Sequence, residues 1–166
     1  ILKKDSGIVS PFELKGKIVS FQEGIDDASL LAMLLDSNIT SKDYIYKPLD
    51  FTSQDFIDGK VDVISAYLGD QPYFMKEKGI AVNIINPLNY GIDLYGDNLF
   101  STEKKLKKNP MQAKKFLDAS TRGWKYALEH KEETVKILKE KYAAKSSINH
   151  LLYEADSIEK MMIPSL

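Results

Sequence analysis

Lys17-Ile-Val-Ser-Phe-Gln-Glu-Gly-Ile-Asp-Asp-Ala-Ser-Leu-Leu-Ala-Met-Leu-Leu-Asp36 decides how the chain is read. Lys17 to Phe21 is a short β-favouring run, Gln22, Glu23 and Gly24 make a polar turn, and a helical pattern follows from about Asp26 to Asp36. Ala28, Leu31 and Leu35 recur at three- and four-residue spacing, which gives that helix one apolar face, and Asp26 is the expected N-cap. The βα unit then repeats. Tyr44 to Leu49 alternates like a strand, and Thr52 to Asp55 reads as a capping box, with Asp in place of Glu, opening a short helix that stops at Gly59. Val61 to Tyr67 is a third strand, Gln71 to Lys78 a third helix ended by Gly79, and Ile80 to Ile85 a fourth strand before Pro87. Strands alternating with helices predict an α/β fold whose largely parallel sheet is covered on both faces.

After Phe100 the strand signals vanish. Asn109-Pro110 announces a helix running to about His130, with Phe116, Ser120, Trp124 and Ala127 on one side. A second spans roughly 131 to 142 through Val135, Leu138 and Tyr142, and a third starts near Ser147 with Ile148, Leu151 or Leu152, Ala155 and Ile158 inward. Each apolar stripe requires a partner surface. The run from Lys104 to Lys108 reads as a solvent-facing turn.

The 166 residues are 43% hydrophobic and 28% charged, ordinary for a globular chain of one domain or two small lobes. Twenty-three basic residues against 24 acidic ones give a net charge of -1, so no global field favours nucleic acid or an anionic membrane. There is no cysteine, hence no disulfide, thiolate nucleophile or zinc ribbon. No apolar run approaches the roughly 20 residues of a membrane helix, and no signal-peptide pattern opens the chain. Beginning at Ile1, it reads as a processed or excised piece. Neither a phosphate-cradling Gly-rich loop nor Gly-x-Ser-x-Gly occurs, so no cofactor and no catalytic centre are expected. His150 with Glu154, and His130 with Glu133, have helical spacing but read as solvated faces, since a metal site needs three or four ligands. Asn38-Ile39-Thr40 matches a glycosylation sequon, a short pattern that also arises by chance.

Binding residues are sought where open α/β sheets hold ligands, outside the carboxyl ends of the strands. Three segments qualify: Phe21 to Asp27, Ala66 to Tyr73, and Asn89 to Asp97. The last belongs to Tyr90-Gly-Ile-Asp-Leu-Tyr-Gly-Asp-Asn-Leu-Phe100, whose paired glycines, aspartates and tyrosines describe a bent, polar, aromatic-lined connection. Phe21, Tyr67, Tyr73, Tyr90 and Tyr95 are candidates to stack on a planar ligand, and Gln22, Glu23, Asp27, Gln71 and Asp93 to hydrogen-bond it. Glu23, Asp26 and Asp27 crowd a helix N-terminus, where an anion would otherwise settle, so a sulfonate meets repulsion and an aminopyrimidine or amine does not. Two readings stay open for Asp26 and Asp27, ligand contact or capping of the helix, and two for Asp93 and Asp97, ligand contact or turn formation.

Asp5 to Lys17, Asp58 to Tyr73, Tyr90 to Phe100, and Gly123-Trp-Lys-Tyr-Ala-Leu-Glu-His130 carry a resemblance over almost the whole chain. It resembles the periplasmic substrate-binding family that includes the thiamine-pyrimidine-precursor and aliphatic-sulfonate binding proteins, above all the branch used as extracytoplasmic sensor domains of bacterial histidine kinases and diguanylate cyclases. The resemblance implies a periplasmic-binding-protein-like (type II) clamshell that closes on a small molecule and works with a membrane-anchored transporter or sensor partner. It also implies that residues 17–88 are one complete lobe, and that 1–16 and 89–166 are part of a second with three C-terminal helices, the hinges lying near 10–16 and 87–98. An exposed partial lobe would favour a homodimer. The expected role is extracytoplasmic solute binding or sensing, of a pyrimidine or an amine, in an interlobe cleft. The alternatives are an enzyme of thiamine-pyrimidine metabolism using the same cleft, and a helical protein-interaction domain. Fungal enzymes of the superfamily are similar but carry a cysteine-rich segment that this chain lacks.

Overall fold

A computed structural model describes residues 1–24, 27–96, 98–142 and 144–162. They form two compact units, residues 1–94 and 95–166.

In the first unit the sequence periods become a five-stranded sheet flanked by helices. The strands are β1 (Leu2–Lys3), β2 (Ile18–Phe21), β3 (Ile45–Pro48), β4 (Val63–Ile64) and β5 (Val82–Asn83), and the helices α1 (Ala28–Asp36), α2 (Gln54–Ile57) and α3 (Gln71–Glu77). Spatial order is β3-β2-β4-β1-β5. β2 pairs in parallel with β3, Val19 opposite Tyr46, and with β4, Val19 opposite Val63. Adjacent residues of a strand face opposite ways, so burial of both Val63 and Ile64 requires cover on both sheet faces. One face packs Val19, Phe21 and Val63 against Leu34 of α1. The other packs Ile64 against Phe56 of α2 and Met75 of α3.

The four strands expected from the βα alternation run in one direction, and the additional strand β1 enters the sheet backwards. Leu2 is antiparallel to Val63 on one side and Asn83 on the other. The Ile1 nitrogen donates to the Ile64 carbonyl (2.6 Å), and the Ile64 N–H to the Ile1 carbonyl (3.0 Å). Residues 1–16, assigned from the resemblance to another lobe, therefore contribute a strand and core side chains, Ile1, Leu2, Ile8 and Leu14 among them, to this unit. Two further strands are shorter than expected. Only Val63–Ile64 of the 61–67 run and Val82–Asn83 of the 80–85 run are strand.

The cap of α2 also differs from the Thr52 to Asp55 box. Ser53 occupies the N-cap position at φ 57° with no side-chain cap bond. Asp50 does the work instead, accepting from the Thr52 N–H (3.0 Å), the Thr52 hydroxyl (2.7 Å) and the Asp55 N–H (3.1 Å). Asp55 turns away to Lys47 (2.8 Å) and Lys60 (3.4 Å). The Thr52 hydroxyl and backbone bonds hold the Asp50 carboxyl down at about 2, against 3.8 in an unstructured chain. A depressed carboxylate stabilises the fold above the unfolded pKa and loses that contribution as pH falls through the folded one. Between pH 3.8 and about 2, the stability of wild type should therefore fall more steeply than that of Asp50→Asn, measured by urea unfolding across that window. Parallel acid limbs would reject the role.

The second unit is helical: α4 (Glu103–Lys108), α5 (Pro110–Glu129), α6 (Lys131–Lys141) and α7 (Ile148–Met162). Pro110 opens α5 at its first position, as Asn109-Pro110 announces. The lysine run expected as a turn is instead helix α4, because the Thr102 hydroxyl accepts the Lys105 N–H (3.2 Å) and caps it. α6 packs on α7, where Lys131 reaches Asp156 (2.6 Å) and Glu159 (2.5 Å). Val135, His150 and Leu151 are buried there. Among the described residues, no helix is long and apolar enough to cross a membrane.

Candidate functional site

Parallel strands β2, β3 and β4 end at the same rim of the sheet, and the loops leaving them enclose a cleft of about 270 Å³. After β2 comes Gln22, then Asp27 and Ser29 at the start of α1. The loop after β3 brings Leu49 and Phe51, and that after β4 brings Ser65, Ala66, Tyr67 and Gln71. Ile84 to Pro87, beyond β5, close the remaining side.

Asp27 ties two of these loops together. One carboxylate oxygen accepts the Gln22 N–H (2.6 Å), and the other accepts the hydroxyl of Ser65, 38 residues away in sequence. Asp27 sits at the N-cap position of α1 without a side-chain cap bond, and it lines the cleft. Asp26 lies outside the described residues. A second local lock fixes the β4 loop, where the Gln71 side-chain oxygen accepts the Tyr67 N–H (2.8 Å) and its nitrogen donates to Asp70 (2.9 Å). The Gln22 carboxamide has no hydrogen-bond partner among the described residues and lines the cleft with its polar end uncommitted. Tyr67 and Phe51 are each 75% exposed and line the same cleft, large apolar rings left in water at a concave polar rim. Among the described lining residues there is one carboxylate, Asp27, and no Lys, Arg or His.

The structure thus brings Gln22, Asp27, Tyr67 and Gln71 together and leaves the other candidates elsewhere. Phe21 is buried in the core, its ring 4.8 Å from Tyr46 and 6.0 Å from Tyr44, because as the last residue of β2 it points to the α1 face. Glu23 is exposed and outside the cleft lining; after desolvation, its charge is the next cause of the raised Tyr46 phenol pKa. Tyr73 lies on α3 with its ring edge-on to Phe74 (6.0 Å), and Tyr90 ends the 3-10 turn Pro87–Tyr90; neither lines the cleft. Asp93 is exposed beyond that turn, Tyr95 is 94% exposed in the other unit, and Asp97 lies outside the described residues. The third predicted segment is thus displaced by its own upstream neighbour, Ile84 to Pro87.

Sequence reasoning missed Ser65, Phe51 and Asn86. A signal existed for Phe51, since the rim rule that selects loops after the first and third strands applies equally to the one after Leu49. Ser65 had none, because its role depends on Asp27 reaching across from another loop. Of the two histidines, His130 Nδ1 lies 3.0 Å from the Tyr126 carbonyl, Glu133 accepts from the Tyr126 hydroxyl (2.8 Å), and His150 is buried, not on the solvated face expected for it.

A sheet with one reversed strand, helices on both faces and a rim cleft is a periplasmic-binding-protein fold, and solved structures agree. The aliphatic sulphonate binding protein SsuA of Escherichia coli superposes with a TM-score of 0.77 at 18% identity, over 94% of this chain and 53% of that one. The alkanesulfonate-binding SsuA of Xanthomonas axonopodis pv. citri, bound to MOPS, gives 0.63 at 16%, over 94% and 53%. A putative sulfonate-binding SsuA from Methylobacillus flagellatus KT gives 0.65 at 16%, over 93% and 48%. The profile of the NMT1/THI5 like family matches residues 1–134, and the chain belongs to that family. No curated protein sequence matches it. It spans about half the length of these solved structures.

Proposed function

We propose that this chain is a ligand-gripping part of an extracytoplasmic solute-binding or sensor protein, and that its rim cleft holds a flat, hydrogen-bond-donating small molecule such as an aminopyrimidine or an amine. The observation that carries the reading is the cleft's charge: one carboxylate, no cation, and an uncommitted carboxamide beside two exposed rings. A donor or cation gains from Asp27, whereas an anion would be desolvated there without a counter-charge. The solved relatives that bind sulfonates support the solute-binding class; the different ligand is this chain's own feature. Function then lies in reversible grip rather than bond making, the ligand shifting a conformational equilibrium through its differential affinity.

Calorimetric titration of the full chain with 4-amino-5-hydroxymethyl-2-methylpyrimidine, an alkylamine and an alkanesulfonate tests the reading. Saturable heat with the pyrimidine or the amine and none with the sulfonate is expected, and sulfonate binding alone would overturn it. Asp93→Ala and Tyr95→Ala, both exposed, should leave the melting temperature nearly unchanged. A binding loss on either would place the connecting segment at the ligand. Sedimentation velocity reads the expected self-association, which a monodisperse monomer would reject.

A further inference from the structure

The near-neutral total conceals a segregation of charge. Residues 1–94 hold nine Lys and Arg against 14 Asp and Glu, whereas residues 95–166 hold 14 against ten. Within α4 and α5 the excess is concentrated: Lys104, Lys105, Lys107, Lys108, Lys114, Lys115, Arg122 and Lys125 face only Glu103, Asp118 and Glu129. All eight cations are exposed. Lys107 is paired with Glu103 (3.2 Å) and Lys114 with Asp118 (2.8 Å), and the other six have no acidic partner among the described residues.

Their placement is one-sided. At 3.6 residues per turn, Lys114, Lys115, Arg122 and Lys125 fall within an arc of about 100°. Ser120, Gly123, Trp124 and Ala127, on the opposite side of α5, line an apolar cleft toward α6 and α7. α4 packs beside α5, and four lysines in its six residues leave only the Leu106 side without a cation. Met111 is 64% exposed and shares the cationic arc.

We infer that this cationic face of α4 and α5 docks on an anionic lipid surface, its lysines meeting the phosphate headgroups. The residue type selects the partner. Seven of the eight cations are lysine, a point charge on a flexible stem that suits a fluid layer of headgroups, whereas a specific protein interface favours arginine and depletes lysine. A row of unpaired cations along a helix, with an apolar side chain among them, is the pattern of electrostatic adsorption to a bilayer.

Co-sedimentation of the full chain with vesicles tests this, using phosphatidylcholine alone and an equimolar mixture with phosphatidylglycerol. Binding to the mixed vesicles only is expected, with loss at about 1 M salt, where the screening length shrinks to about 3 Å. Each basic residue adds roughly fivefold to such partitioning, so Lys104→Gln, Lys105→Gln, Lys108→Gln and Lys115→Gln together should weaken it by about 600-fold. The charge-matched set Lys4→Gln, Lys42→Gln, Lys76→Gln and Lys78→Gln, all exposed in the other unit, should change it little; circular dichroism checks that both sets fold. Equal binding to phosphatidylcholine, equal losses in the two sets, or retention by polyglutamate or DNA without any vesicle binding would each overturn the proposal.

Discussion

Leu2→Asp should unfold the 1–94 unit. Leu2 is 0% exposed and sits between Val63 and Asn83 with a neighbouring strand on either side, so no rotamer carries a carboxylate there to water. An ionised carboxylate without a partner in such a place costs more than a domain of this size can supply, and the protonated form still leaves a hydroxyl and a carbonyl unsatisfied. The milder Leu2→Ala should cost about 2–5 kcal/mol, the range for a leucine truncated in a core. Because β1 lies between β4 and β5, its loss should also release the amides that join the β1 segment to each side. Hydrogen exchange provides the measurement: faster exchange at Ile64 and Lys4, whose N–H groups bond Ile1 and Ala81, is expected in both variants. Wild-type protection in Leu2→Asp would mean that β1 is not part of the sheet.

Asp27→Asn should cut affinity for a cationic or aminopyrimidine ligand by about a hundredfold, the equivalent of about 2.7 kcal/mol, while the protein stays folded. Asparagine keeps the shape and one acceptor for the Gln22 N–H, and the Ser65 hydroxyl can rotate to accept from the new amide, so the loop tie survives. What disappears is the only carboxylate among the described lining residues. Ser65→Ala separates charge from positioning: it keeps the carboxylate but removes the hydroxyl that holds it, so affinity should fall by less, about tenfold, the worth of one hydrogen bond. Calorimetric titration of both variants with the aminopyrimidine decides. An unchanged dissociation constant in a folded Asp27→Asn would remove Asp27 from the ligand and reduce it to a loop tie.

Much of the fold was legible because the periods that encode it are local. Ile18 to Phe21 and the α1 stripe declare themselves within a few residues, and so do Asn109-Pro110 and the terminating glycines, Gly59 and Gly79. The candidate site was half legible for the same reason. Gln22, Asp27, Tyr67 and Gln71 could be placed by the rule that ligands gather at strand carboxyl ends, yet residue type alone could not separate Tyr67, on the cleft, from Tyr73, packed beside Phe74. Phe21 shows the limit most plainly, since a ring at the end of a strand lies at the rim in sequence but turns into the core by the alternation of the strand itself.

The sequence by itself determined that strands and helices alternate through residue 85, that helices alone follow residue 100, and that acidic and amide side chains cluster near the rim, because each of these is written in neighbouring residues. Only tertiary structure decided that Leu2–Lys3 runs backwards through the sheet, that Asp50 rather than Asp55 serves the N-terminus of α2, and that Ser65 joins Asp27. A two-residue strand has no period to detect, and its partner on β4 is Val63, some sixty positions from Leu2. A carboxylate likewise chooses among nearby donors only after the chain has brought them within reach, so the same aspartate reads as cap, turn or binding residue until the fold is formed.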